Sequence, residues 1–200
     1  MVLVELLNHP NVEILKAVIN TLGSLFTGND ELIRMIISCG ILPCLTKLFE
    51  HPKKGIRKEA MWALSNITAR HGMEIQQVID AEIFPKLINM LSPAHNEAVI
   101  VKQQIYFVIT DACTGATNDQ IHYLIDQGVI QVLCGALDMK SKFLKVLLEG
   151  LESLLLFEDG EKVMKIIQDC GGVERIKALQ QHKQEEVHQK AHSILETYWK

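Results

Sequence analysis

Trp62 and Asn66 carry the clearest chemistry in this chain. They stand one helical turn apart in the stretch Arg57-Lys58-Glu59-Ala60-Met61-Trp62-Ala63-Leu64-Ser65-Asn66-Ile67-Thr68-Ala69. At a helical step of about 100° per residue, Ala60, Leu64 and Ile67 fall together as a core-facing stripe. Trp62 and Asn66 fall on the opposite side, flanked by Lys58, Glu59, Ser65 and Ala69. A large apolar ring on a polar face has two readings. Either a neighbouring helix covers it, as such rings are usually covered, or it is the aromatic wall of a ligand slot with an amide one turn along. Repetition of the arrangement along the chain decides between them.

Other candidate chemistry is weaker. His182, His188 and His192 lie near the end, and the last two are spaced to share one helix face. With no HExxH and no cysteine at a ligand spacing, a solvated helix face is the expected reading and no metal is assigned. Five cysteines, an odd number with no CxxC pair, read as small packing residues of a reducing compartment; Cys39 and Cys44 straddle a turn. The runs Thr27 to Asp30 and Thr114 to Asp119 are inter-helix loops in which Asn and Asp can cap the next helix. No phosphate-cradling GxxxxGK[ST] and no nucleophile–base pairing is present, so neither an enzyme nor a cofactor is expected. A net charge of −4 disfavours nucleic acid and suits a basic partner. The longest apolar runs are far too short to cross a bilayer, and there is no signal peptide at the start.

The elements that would position Trp62 repeat. The triplet Ala60, Leu64, Ile67 recurs as Val18, Leu22, Leu25; as Ile105, Ile109, Ala112; as Leu147, Leu151, Leu154; and as Ala191, Leu195, Tyr198, at steps of 42 to 45 residues. A second series runs Gly40 to Leu48, Glu82 to Met90, Gly128 to Ala136 and Gly171 to Leu179. Each member opens at a turn and proceeds as an amphipathic helix. Shorter apolar-periodic segments precede them at Leu32 to Ser38, Ile75 to Asp80, Ile121 to Asp126 and Val163 to Asp169. One unit is thus a short, a medium and a long helix. Such a unit cannot bury its apolar face alone, so neighbours must stack into a solenoid. The first unit is incomplete, with Val2 to Leu7 as a second helix lacking its first, so an exposed apolar edge with a tendency to self-associate is expected there.

The three-helix unit of this length resembles the armadillo repeat, and Lys58 to Ala69 resembles the KEAxWxxSNITA helix of the importin alpha (karyopherin alpha) family. Val4 to Pro10, Gly23 with Thr27 and Gly28, Gln76 to Asp80, Ile83 to Pro85, and Cys170 to His182 with Gln189 to Ala191 are similar to that family as well. The resemblance covers essentially the whole chain and aligns it with the C-terminal half of the family's armadillo domain. It implies an all-α fold, a right-handed superhelical solenoid, as a single domain over 1–200 with units at about 1–29 (partial), 30–70, 71–115, 116–157 and 158–200. It also implies a nuclear-import adaptor shuttling between cytoplasm and nucleus, whose long helices line a groove for basic localisation signals. This half would hold the minor signal site, with Trp62, Asn66, Glu59 and Ser65 contacting the peptide. A lysine stem suits an indole wall, its ammonium drawn to the ring face and to a carboxylate such as Glu59. An asparagine amide can pair with both groups of a peptide backbone.

The same register shows departures. Asn20 stands at the family's Arg or Trp and Ser24 at its Asn; Gln104 replaces a glutamate, Phe107 a Trp and Asp111 an Asn; and an insertion near Asn96 to Val101 accounts for the 45-residue step. A fourth helix offers Glu149 and Ser153 at these positions. Asp111 can accept a backbone N–H but, as a carboxylate, cannot donate to a carbonyl. The alternative expectation is therefore a diverged interaction scaffold. It would act through terminal repeats that in the family meet the export receptor and a nuclear-pore nucleoporin. Importin beta would be reached only through a basic N-terminal arm absent here, and no membrane partner is expected.

Overall fold

In a computed structural model, which describes residues 1–138 and 143–199, the chain is helical, with no strand among the described residues. The helices group into two compact units, Met1–Gly115 and Ala116–Lys200. The first contains α1 (Val2–Glu5), α2 (Val12–Leu25), α3 (Asp30–Ser38), α4 (Ile41–Leu48), α5 (Lys54–Thr68), α6 (Gly72–Asp80), α7 (Ile83–Leu91) and α8 (Val99–Gly115). The second contains α9 (Asn118–Asp126), α10 (Val129–Ala136), α11 (Leu144–Leu155), α12 (Gly160–Asp169), α13 (Gly172–Leu179) and α14 (Glu185–Tyr198). No helix among the described residues is long and apolar enough to cross a membrane.

The expected short and medium helices are of nearly equal length, 9 or 10 residues and then 8 or 9, and each pair is followed by a longer helix. A specific turn joins the first two: the residue before the second helix takes the left-handed conformation, at Gly40 (φ 83°), Gly128 (φ 86°) and Gly171 (φ 73°). At the remaining turn the same role falls to Glu82 (φ 52°). A side chain there is strained, because its Cβ crowds the carbonyl that glycine leaves free. Glu82→Gly is accordingly expected to stabilise the protein by about 1 kcal/mol, read as a higher urea midpoint.

The core triplets fall where the periodicity places them. Ala60, Leu64, Ile67, Ile105, Ile109, Ala112, Leu147, Leu151 and Leu154 are fully buried, whereas Leu25 and Tyr198 are half-buried. At the start of the chain Met1 and Val2 are exposed. Of the proposed caps, Asn29 accepts from the Leu32 N–H at 2.8 Å. In the second loop Thr117, rather than Asn118 or Asp119, caps α9, in a reciprocal box with Gln120.

In the first unit α2, α5 and α8 pack side by side. Two arginines brace α5 at its ends. Arg57 Nε and Nη2 donate to the two oxygens of Glu97 at 2.8 and 2.7 Å, and Arg57 Nη1 donates to the carbonyls of His51 and Pro52. Glu97 lies in the inserted segment. There the chain makes a 3-10 turn at Pro93–His95 and a left-handed residue at Asn96 before α8 begins. Arg70 donates to the carbonyls of Phe26 and Gly28 and pairs with Asp30 at 3.4 Å, satisfying acceptors beyond the end of α2. In the second unit Arg175 does the same work, pairing with Asp138 at 2.8 Å and donating to the Cys170 carbonyl.

Candidate functional site

α5 is buried over most of its circumference, since Met61, Ala63, Ser65 and Thr68 join the core triplet inside. What remains partly accessible along its second to fourth turns is the stripe Lys58, Glu59, Trp62 and Asn66. Both candidate side chains, Trp62 and Asn66, are seated on one glycine of the neighbouring helix. A Cβ built on Gly23 of α2 would lie 2.2 Å from Trp62 Cζ3 and within 2.9 Å of two further indole atoms, so the ring rests directly against the Gly23 backbone. Asn66 Nδ2 donates to the Gly23 carbonyl at 2.9 Å. The two readings of Trp62 are therefore not exclusive. A neighbouring helix covers one part of the indole and the rest lines an open depression.

That depression, about 360 Å³, is lined by Asn20 of α2, Lys58, Glu59 and Trp62 of α5, and Gln104 of α8. Its polar side chains supply both donors and acceptors. The oxygen Oδ1 of Asn20 is buried and has no hydrogen-bond partner among the described residues. Glu59 is held at 2.7 Å by Lys58 Nζ from the same helix. An amine donor entering the slot would meet an indole wall and a carboxylate that can exchange its lysine for the newcomer.

The remaining sequence candidates separate by role. Ser65 is buried and its hydroxyl donates to the Trp62 carbonyl at 2.9 Å, so it braces the helix behind the slot. Ser24 is exposed with its hydroxyl turned back onto the Asn20 carbonyl at 2.9 Å. Phe107 and Asp111 are half-buried on α8, on the same stripe as Gln104. Burial pushes the Asp111 carboxyl up from 3.8 to about 6, and no hydrogen bond or ion pair compensates it among the described residues. Burial and then the Asp111 charge push the Cys113 thiol up to about 12, which leaves it unreactive.

The raised Asp111 value fixes a sign. The folded state holds this proton more tightly than the unfolded chain, so the protein is penalised above pH 6 and recovers as pH falls toward 4. In a dry site the shift would amount to about 3 kcal/mol, and solvent screening at a half-buried position reduces that to about 1–2 kcal/mol. Asp111→Asn should therefore raise stability by about that amount at pH 7.5 and by almost nothing at pH 4, measured by urea unfolding at both values.

No group of three or more potential metal ligands comes together among the described residues. The three late histidines serve local structure: His182 Nδ1 accepts from the Gln184 N–H, His188 Nδ1 lies 2.5 Å from the Gln180 carbonyl, and His192 Nδ1 lies 3.3 Å from Glu196. What sequence reasoning did not find is the seat at Gly23 and the orphaned acceptor of Asn20. A glycine in the interior of an amphipathic helix was the available signal for the first. Nothing in sequence marked the second.

Two segments match family models, residues 29–69 the Armadillo/beta-catenin-like repeat and residues 161–200 the Atypical Arm repeat. Importin subunit alpha-1b of Oryza sativa subsp. japonica is 38% identical over 208 residues, covering 98% of this chain and 38% of that protein. Importin subunit alpha-4 of Arabidopsis thaliana is 36% identical over 209 residues, covering 98% and 38%. The chain thus spans about two-fifths of the length of these relatives. Among solved structures, a designed armadillo repeat protein in complex with peptide (KR)4 superimposes with a TM-score of 0.88 at 27% identity, covering 98% of this chain and 80% of that one. Computationally designed armadillo repeat proteins for modular peptide recognition give 0.87 at 26% identity, with the same coverage. With its repeated three-helix units and the Trp62–Asn66 helix, the chain is an all-α armadillo-repeat solenoid protein, similar over 98% of its length to importin alpha subunits.

Proposed function

We propose that the face formed by α2, α5 and α8 binds an extended basic peptide, as the minor localisation-signal site of a nuclear-import adaptor. The observation that carries this reading is the slot at Trp62. A lysine stem laid on the indole would bring its ammonium to Glu59. Asn66, anchored by one N–H to Gly23, still has a second N–H and an oxygen for the backbone of the ligand. A structural neighbour that carries a (KR)4 peptide, and relatives named as importin alpha subunits, support the same class of ligand. In this reading the protein shuttles between cytoplasm and nucleus and catalyses no reaction.

Fluorescence-anisotropy titration of a lysine/arginine-rich peptide tests it. Saturable binding is expected, weakened about 30-fold by Trp62→Ala, the roughly 2 kcal/mol of an aromatic anchor. Binding unaffected by the substitution would sink the reading.

A second reading is favoured by Ser24 and Asp111, which leave Asn66 as the single asparagine among the three equivalent positions of α2, α5 and α8. In that reading the chain is a diverged scaffold acting through docking of its terminal repeats to an export receptor and a nucleoporin. Importin beta would then enter only through a basic arm elsewhere in a longer protein. Absence of peptide binding together with retention by an export receptor would select it.

A further inference from the structure

We infer that Asp111 is a specificity-determining residue that takes a second cationic side chain of the ligand, best a guanidinium, alongside the lysine held at Trp62. The inference rests on the peptide-binding reading and goes beyond it by assigning a charge requirement to a position that was expected to contact only backbone.

The argument begins with an unpaired charge. A half-buried carboxylate normally has a cation or several hydrogen bonds beside it, because desolvation penalises the charged form. Asp111 has neither among the described residues, and the basic groups nearby are committed elsewhere. On α5, Arg57 holds Glu97, Lys58 holds Glu59, and Lys54 lines a separate depression at the opening of the helix with Lys16 and Lys53. Arg70, just beyond α5, is bound to the α2–α3 connection. Lys102 on α8 itself lies more than two turns before Asp111. The Cys113 thiol, which feels the Asp111 charge, remains neutral and supplies no positive charge.

Position then says where the missing cation comes from. Asp111 lies two turns beyond Gln104 on α8, and Gln104 lines the Trp62 slot, so both belong to one continuous stripe of partly exposed residues. At the equivalent place on α5, the Asn66 amide donates across to the preceding long helix. A carboxylate cannot make that bond, and a neutral backbone ligand offers it only one N–H. Arginine fits better, since its planar fork presents two N–H groups to two carboxylate oxygens and its charge survives burial. Neighbouring packed helices lie about 8–10 Å apart and an extended chain advances about 3.4 Å per residue. The second cation therefore belongs two or three residues from the lysine.

A charge-deletion cycle tests this. Two peptides are titrated, one with lysine and arginine two or three residues apart and one with citrulline, a neutral isostere, in place of the arginine. Each is measured against the wild-type protein, Asp111→Asn and Trp62→Ala. The expected result is about tenfold weaker binding of the citrulline peptide to wild type and equal binding of both peptides to Asp111→Asn. If the citrulline peptide loses the same factor on wild type and on Asp111→Asn, or if Asp111→Asn binds both peptides more tightly, Asp111 is not a cation site and the inference falls. Loss of both peptides with Trp62→Ala would in that case leave the Trp62 reading standing. If neither peptide binds wild type, both readings fall together.

Discussion

Arg57→Ala is expected to destabilise the protein by about 3–5 kcal/mol, the range for removing one partner of a buried ion pair. Glu97 is the reason, because its side chain is only 2% exposed and Arg57 supplies two of its hydrogen bonds. Burial alone would push the Glu97 carboxyl up. Hydrogen bonds from Arg57 and from the Ala98 N–H, with the charges of Arg57 and His95, outweigh burial and hold the carboxyl below its ordinary 4.5. The contribution of the pair is therefore full above the unfolded value and is lost as pH falls through the lower folded value. Without Arg57, burial is opposed only by the Ala98 N–H and the His95 charge, and the carboxyl rises. The gap between wild type and variant should thus be widest near neutral pH and close as the solution is made acidic. Urea unfolding at pH 7 and at pH 3.5 measures it. A gap that is small at pH 7, or independent of pH, would show that the pair does not brace the inserted segment.

Gly23→Ala is expected to lower peptide affinity by about 10- to 100-fold, together with a stability loss of about 1–3 kcal/mol, the usual range for overpacking. The new methyl would stand 2.2 Å from Trp62 Cζ3, and an indole cannot yield locally as a flexible chain end can. Either the ring swings out of the slot or α2 and α5 move apart, which stretches the Asn66–Gly23 bond. Both outcomes dismantle the lysine seat. Gly55→Ala is the matched control, because a Cβ there meets nothing within 4 Å and the residue lies in the first turn of α5. That substitution should leave binding intact and gain up to about 1 kcal/mol. Equal affinities for Gly23→Ala and wild type would contradict the slot geometry.

The repeating architecture was legible because burial in stacked helices imposes a period that apolar residues must follow. The triplets at Ala60, Ile105 and Leu147 obey it without exception, and Leu25 and Tyr198 depart only by being half-buried. The candidate stripe stood out for the same reason in reverse, since Trp62 breaks the polar pattern of its face, with Asn66 one turn along. Pairings between helices were not legible. The insertion before α8 showed as a change of step, but its anchoring by Arg57 and Glu97 joins residues 40 apart that no local pattern links. Likewise Ser65 sits on the right stripe by angle yet is buried, because the flanking helices reach further around α5 than the core triplet alone implies. The unusual state of Asp111 depends on how much neighbouring structure excludes water, which spacing does not report.

The most direct test of the central claim is an NMR titration of a lysine/arginine-rich peptide, following the Trp62 indole N–H and the Asn66 side-chain amide. The account predicts that these two signals move together and saturate at one affinity. The Trp199 indole, which lies outside the proposed site, should stay in place. Saturable binding that shifts signals elsewhere while Trp62 and Asn66 stay still would contradict it.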